Sequence, residues 1–124
     1  MPMQFNLGIE QEFQMVDRAT GQLSPHIQTI LEKGIPFFGD NIKPEMLQSA
    51  VEVVTGICPD IATARLELQA VRRTLNDLLE PDGIGLISAG THPTARWEDQ
   101  LAIPNQRYTA LEEELQDVAR SILI

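Results

Sequence analysis

The chain has 124 residues, of which 43% are hydrophobic, so it can bury a core and should be globular. Its formal net charge is −9, from 18 acidic and 9 basic residues, which argues against binding to nucleic acid or to an anionic membrane surface. Cys58 is the only cysteine, so no intrachain disulfide can form and a reducing cytoplasm is the expected location. No apolar run approaches the ~20 residues of a membrane span, and the N-terminus lacks a signal pattern.

The first predicted element is a β-strand over residues 7–15 that carries two glutamates on one face. Side chains alternate between the faces of a strand, so Glu10 and Glu12 share a face with Gly8 and Gln14. The opposite face holds the apolar side chains of Leu7, Ile9, Phe13 and Met15. Two neighbouring carboxylates repel each other unless a cation neutralises them, and oxygen ligands suit Mg²⁺. The pattern suits a metal site, but on its own it is more typical of a half-exposed strand with two solvated acids.

A turn and a helix are predicted to follow the first strand. Residues 17–21 are typical of a hairpin turn with Gly21 in the left-handed conformation. Ser24 is predicted to cap a helix that begins at Pro25 and ends at Gly34.

The middle of the chain predicts an extended stretch, a strand and a long helix. Residues 35–42 are predicted to be extended because a proline and a glycine interrupt them, and residues 51–55 favour a strand. The clearest helix begins after Asp60 and ends before Pro81. Its apolar seam consists of Ile61, Ala64, Leu68, Val71, Leu75 and Leu78.

The last third predicts a buried strand over residues 84–89, a loop over 90–93 and a helix after Asn105. The apolar stripe of that helix consists of Leu111, Leu115, Val118 and Ile122. Mixed strands and helices predict an α+β fold. Because the stripe and the apolar end lack neighbours, we expect a homo-oligomer and a parent protein longer than 124 residues.

Two further glutamates are candidates for a site. Glu52 lies among valines in a predicted strand, where an acid needs a partner or a metal unless one sheet face is wet. Glu45 precedes it by seven positions, which aligns the two on a helix but separates them on an unbroken strand. A bulge or a bend between them would let both serve one strand-built site.

The loop after the predicted buried strand and the start of the last helix hold the remaining candidates. His92 lies at the C-terminal end of that strand beside Gly90, a common position for functional side chains, although a lone loop histidine is often structural. Arg107 could bind a carboxylate or a phosphate, or form a surface ion pair. Cys58 has no base near it in sequence, so nucleophilic catalysis by its thiol is not expected.

Four segments, taken in order, resemble the N-terminal part of the carboxylate–amine ligases, the family that contains type 2 glutamate–cysteine ligases. They are residues 8–13 (Gly-Ile-Glu-Gln-Glu-Phe), residues 45–58 ending in Val-Val-Thr-Gly-Ile-Cys, residues 89–93 (Ala-Gly-Thr-His-Pro) with Trp97 and Gln100, and Arg107-Tyr108. The order runs from end to end of the chain, and Gly-Thr-His-Pro after the first strand is its most specific part.

The resemblance implies a glutamine-synthetase-like fold, in which a curved, largely antiparallel sheet packs against helices. It also implies ATP-dependent joining of a glutamate-like carboxylate to a cysteine-like amine through an acyl-phosphate, with Mg²⁺ as cofactor. The family pattern assigns four carboxylates to the metal: Glu10, Glu12, Glu52 and Glu45. It assigns three side chains to the substrate or nucleotide: His92, Thr91 and Arg107.

The chain departs from the family pattern in two ways. Gln11 stands where many relatives have another acid, but it points to the opposite strand face, so the metal site should survive. The family continues beyond Ile124 with a His-x-His strand and further nucleotide-binding residues. We therefore expect residues 1–124 to be the N-terminal part of a catalytic domain and to be inactive alone.

Two other functions remain open on the sequence. One is a non-catalytic acidic module that binds a cation or a partner, which would lack Mg²⁺-dependent ATP binding. The other is a metal-dependent hydrolase in which Glu10, Glu12 and His92 hold the ion. A histidine ligand favours Zn²⁺ or Mn²⁺, whereas an all-carboxylate site favours Mg²⁺.

Overall fold

The computed structural model of the chain describes residues 4–105, 109–110, 113–114 and 118. These residues form an α+β fold with one four-stranded antiparallel sheet and two α-helices, which confirms the predicted class. The strands are β1 (Glu10–Asp17), β2 (Ile42–Pro44), β3 (Ala50–Val54) and β4 (Ile84–Ile87). The helices are α1 (Ile27–Phe38) and α2 (Ile61–Leu79). Short 3₁₀ turns lie at Gly39–Asn41, Glu80–Asp82 and Trp97–Asp99.

The strands lie in the order β2-β3-β1-β4, and every pairing is antiparallel. The register sets Glu12 of β1 opposite Glu52 of β3, and Lys43 of β2 opposite Glu52 on the other side. Directly opposed residues share a face of the sheet. One face is therefore polar and carries carboxylates from neighbouring strands.

The other face of the sheet packs against α1 and α2 and forms the core. The core residues are Phe13, Met15, Ile27, Ile30, Ile42, Val51, Val53, Leu75, Leu79 and Ile84. Along α2, Ala64 and Leu75 are buried as the seam predicts, but Leu79 is fully buried where Leu78 was expected. Ile61, at the start of the seam, is 77% exposed because it lies in the first turn of the helix, away from the core.

The start of α1 differs from the prediction. The helix begins at Ile27 after His26, and Ser24 does not cap it. Instead the backbone N–H of Ser24 donates to the carbonyl of Met15 at 2.9 Å, so this residue continues the pairing next to β1. The N–H of Ile27 donates to the carbonyl of Gln48 at 3.0 Å, which satisfies one of the free donors at the helix start.

The end of α1 was also predicted wrongly, since the helix continues through Gly34 and Pro36. It ends at Gly39, whose φ of 54° is a conformation that favours glycine. Gly34 is buried against β2, and a Cβ at this position would lie 2.6 Å from Cδ1 of Ile42. The presence of glycine at position 34 is therefore explained by its close contact with β2 and not by the end of the helix.

Several local predictions are confirmed. Gly21 has a φ of 73° in the turn after β1. Asp60 caps α2, because its Oδ1 accepts the backbone N–H of Thr63 at 2.7 Å, and this hydrogen bond holds the pKa of Asp60 below its usual value. β4 is shorter than predicted and ends at Ile87.

The predicted last helix and its stripe lie largely outside the described residues. Val118, the one stripe residue that is described, is helical and 67% exposed. Across the described part of the chain, no helix combines the length and apolarity needed to cross a bilayer.

Candidate metal centre

Three carboxylates converge on the polar face of the sheet. One oxygen each from Glu12, Glu45 and Glu52 lies within 4.8 Å of the other two. Glu12 and Glu52 are directly opposed on β1 and β3. Glu12 is exposed and the other two are half-buried. The site therefore opens to solvent on the side of β1.

A hairpin explains how Glu45 joins this group, because the chain reverses between β2 and β3. Glu45 follows Pro44 at the end of β2 and lies two positions after Lys43, which is opposite Glu52. The period of two therefore sets Glu45 on the same face as Glu52. A bulge or a bend between Glu45 and Glu52 was predicted to be necessary. The connection between β2 and β3 fulfils this requirement by reversing the direction of the chain.

The segment after Glu45 is fixed by a second pairing. The N–H of Gln48 donates to the carbonyl of Leu101, and the N–H of Ile103 donates to that of Met46, each at 2.8 Å. Residues 101–103 thus hold the connection that positions Glu45.

The burial of Glu45 and the repulsion from its neighbours both act on its pKa. Partial burial raises the pKa of Glu45, and the neighbouring charges of Glu12 and Glu52 raise it further. Partly desolvated acids in contact stabilise one another only when a proton or a cation lies between them. The cluster is therefore preorganised for a positive partner.

Glu10 lies on the same face as Glu12, as the strand alternation predicts, but outside the group of three. It is exposed and opposite Val54, one pleat repeat along β1 from Glu12. It can face a second cation, whereas the first three carboxylates can share one ion.

The donor set fits Mg²⁺. All three groups offer hard oxygen ligands, which Mg²⁺ prefers and which a zinc site built on sulfur or nitrogen lacks. Ligands of one octahedral Mg²⁺ lie on the order of 3–4 Å apart, because each bond is about 2.1 Å long. The observed spacing of at most 4.8 Å reaches this geometry by small rotations of the side chains.

Gln14 is a polar residue of this face that the sequence did not single out as functional. It follows Glu12 by two positions on β1, between Ala50 of β3 and Ile87 of β4. Its Oε1 is buried and has no hydrogen-bond partner among the described residues. The strand alternation had already placed Gln14 on the same face as Glu12, and this position was the signal that could have marked it as a candidate site residue.

His92 is part of the fold and is not directed at the carboxylates. It is buried, and its Nε2 is 2.8 Å from the carbonyl oxygen of Gly21. Its Nδ1 accepts the backbone N–H groups of Thr94 and Ala95 at 3.2 and 3.0 Å. The ring is therefore the neutral tautomer with the proton on Nε2, and neither nitrogen is available for a metal. The hydrolase arrangement gains no support.

The other two predicted binding residues are only partly described. Thr91 is exposed in the loop after β4, next to Gly90, whose φ is 72°. Arg107 lies outside the described residues, so its assignment remains a prediction.

The sheet brings carboxylates from adjacent strands together on one open face. This arrangement is typical of one class of site, a centre for a divalent cation. Residues 6–124 match the model of the glutamate-cysteine ligase family 2. The chain belongs to this family.

Curated relatives agree with this assignment. A protein of Sorangium cellulosum named "Putative glutamate--cysteine ligase 2" is 45% identical over 98% of this chain and 33% of its own length. Proteins of the same name from Roseiflexus castenholzii and Herpetosiphon aurantiacus are 43% and 39% identical over 97% of this chain. The chain thus spans about a third of the length of the curated relatives it matches.

Proposed function

We propose that this chain supplies the metal-binding sheet of an ATP-dependent ligase that joins glutamate to cysteine. The observation that carries the proposal is the convergence of Glu12, Glu45 and Glu52 on one face. The family and the names of its members support the substrates. A glutamine-synthetase-like fold is part of the proposal, supported by an antiparallel sheet of which one face packs against α1 and α2.

The chemistry explains why such a face is needed. A carboxylate does not react with an amine in water because oxide is a poor leaving group. Transfer of the γ-phosphoryl group of ATP to a carboxylate oxygen releases ADP and forms an acyl-phosphate. The amine nitrogen then attacks the acyl carbon, inorganic phosphate leaves, and the nitrogen loses a proton to form the amide.

Phosphoryl transfer depends on alignment and charge neutralisation more than on covalent help from the protein. Glu12, Glu45 and Glu52 would hold Mg²⁺, which supplies charge neutralisation to the phosphates. Glu10 extends the same face by one strand repeat. Thr91, in the loop after β4, and Arg107, outside the described residues, are the predicted contacts to substrate or nucleotide. The complete reaction belongs to a protein of the relatives' length, since this chain spans a third of it.

Metal titration of the chain tests the proposal. We expect saturable Mg²⁺ binding by calorimetry, and binding of ATP that requires Mg²⁺. Glu52→Gln removes the charge at the centre of the group, so its Mg²⁺ affinity should fall about tenfold or more. The preference for Zn²⁺ over Mn²⁺ should be small, because the site has no nitrogen or sulfur ligand.

Glu32→Gln is the matched control, since Glu32 is an exposed acid on α1, which packs against the other face. It removes the same charge and should leave Mg²⁺ binding unchanged. Equal losses in the two variants would show that overall charge, and not the cluster, attracts the ion. Cation binding without Mg²⁺-dependent ATP binding would favour the non-catalytic acidic module.

A further inference from the structure

The polar face contains an unsatisfied acceptor beside the carboxylates. Oε1 of Gln14 is buried without a partner among the described residues, and such atoms are rare in folded proteins. Leaving a buried polar group unpaired is unfavourable, so a group from outside the fold should donate a hydrogen bond here.

Gln14 lines a small cavity that has room for such a group. The cavity measures about 70 Å³ and shares Glu12 with the carboxylate cluster. Its walls are largely apolar and include Leu23, Leu47 and Ile87. The space admits a group of a few heavy atoms and excludes a nucleotide or a whole phosphate chain.

We propose that this cavity binds the amine nitrogen of the second substrate, with Gln14 Oε1 accepting one of its N–H bonds. The inference rests on the proposed ligase function and names a binding residue for its nucleophile. An amide oxygen and a carboxylate are hydrogen-bond acceptors, so they select a donor-rich group and disfavour an anion. Because the cavity adjoins Glu12, a nitrogen held there lies next to the place where the acyl-phosphate would form.

The hydroxyl of Ser49, a further wall of the cavity, does not satisfy Gln14. It is directed to Oε1 of Gln100 at 3.5 Å. The cross-strand neighbours of Gln14 are Ala50 and Ile87, whose side chains carry no donor. Gln14 is therefore the residue at this point of the sheet whose acceptor has no partner among the described residues, and its side chain must rotate to open the buried Oε1 to the cavity.

The test is a nuclear magnetic resonance titration of the ¹⁵N-labelled chain with methylammonium, a primary amine cation without other functional groups. We expect a saturable shift of the Gln14 side-chain amide. Tetramethylammonium has the same charge and no N–H, so it should give no saturable shift. Gln14→Leu should weaken methylammonium binding about tenfold or more, because a hydrogen bond to a charged group is lost.

Gln11→Leu is the matched control, because Gln11 lies on the opposite face of β1, where it contacts Ser88 and Arg72. Methylammonium binding should be unchanged in this variant. Gln14→Glu keeps an acceptor and adds a negative charge, so it should bind methylammonium more tightly than the wild type. This variant still tests the inference if Gln14→Leu does not fold.

Mg²⁺ titration of the same variants separates this inference from the proposed function. Gln14→Leu should keep the Mg²⁺ affinity of the wild type and denature at a higher urea concentration, since it removes an unpaired buried oxygen. Normal Mg²⁺ binding without a saturable methylammonium shift would overturn the amine site alone. A lower urea midpoint for Gln14→Leu would overturn it too, by showing that Gln14 is paired within the fold. If the wild-type chain does not bind Mg²⁺, the ligase proposal is overturned.

Discussion

Glu45 shows at the scale of one residue how a site can oppose the stability of the fold that holds it. Its carboxyl group is half-buried beside two others, and its pKa is raised from 4.5 by burial and then by Glu12 and Glu52. A carboxyl with a raised pKa in the folded state binds its proton more tightly there than in the unfolded chain. Its favourable contribution is thus complete below pH 4.5 and is lost as pH rises through the raised value.

Glu45→Gln should therefore stabilise the chain at neutral pH without Mg²⁺. Removal of one like charge from the cluster is worth about 0.2–1 kcal/mol, and glutamine keeps the size of the side chain. The gain over wild type should disappear as pH falls below 4.5, where Glu45 is protonated and no longer repels its neighbours. Urea denaturation at several pH values measures this difference.

Millimolar Mg²⁺ should reverse the order of stability, because the ion binds the wild-type cluster more tightly than the variant. Glu32→Gln on α1 is the control and should follow the wild type at every pH and Mg²⁺ concentration. A variant that remains the more stable one in Mg²⁺ would contradict the assignment of Glu45 to the metal.

Only part of the carboxylate cluster could be predicted from the sequence. The period of two was enough to place Glu10 and Glu12 on one face, since alternation is a local property of a strand. Glu45 and Glu52 share a face because β2 and β3 form a hairpin with a defined register, which spacing alone cannot reveal. The histidine in the loop was predictable as a special residue, but one of its partners, the carbonyl of Gly21, comes from a distant turn.

At the scale of elements, α1 was the poorest prediction and the long helix α2 the best. α2 has a capping aspartate and a regular seam, so local signals and tertiary packing agree. In α1, Gly34 was predicted to end the helix and residues 35–42 to be extended, yet the helix continues through Gly34 and Pro36 to Phe38. Packing against β2 outweighs the weak local preference at Gly34, where only a residue without a side chain fits.

Gly34→Ala should therefore destabilise the chain, although alanine favours a helix by about 1 kcal/mol over glycine. The new Cβ would lie 2.6 Å from Cδ1 of Ile42, a core side chain, and overpacking of a core typically costs about 1–3 kcal/mol. We expect a lower urea midpoint with an unchanged slope.

Glu32→Ala tests the same helix at an exposed position. Its stability should stay within about 0.5 kcal/mol of the wild type, as for most surface changes. If Gly34→Ala were as stable as this control, the contact between α1 and β2 would be looser than the structure indicates.

At the scale of the whole molecule, His92 joins parts of the chain that are far apart in sequence. It ties the loop after β4 to the turn after β1, through the carbonyl of Gly21 and two backbone N–H groups of its own loop. The loop borders the cavity beside Glu12 through Gly90. The histidine therefore shapes the surroundings of the site without touching the carboxylates.

His92→Ala should lower stability by about 1–3 kcal/mol, because it leaves a carbonyl and two N–H groups without their partner. Hydrogen exchange at Thr94 and Ala95 should accelerate, while Mg²⁺ affinity should stay at the wild-type value. Thr91→Ala, an exposed neighbour, should change neither property. A large loss of metal affinity in His92→Ala, but not in Thr91→Ala, would support the hydrolase hypothesis, in which His92 is a metal ligand.

The pairing of residues 101–103 with residues 46–48 has a consequence for the order of events on the ribosome. Glu12, Glu45 and Glu52 are synthesised early, and the carbonyl of Gln48 can already accept the N–H of Ile27, but the hydrogen bonds of Met46 and Gln48 to Ile103 and Leu101 form later. A nascent chain that has not yet exposed these residues can pair β1 with β3 and still lack a fixed third carboxylate. We therefore expect full metal capture during translation only after Ile103 has emerged.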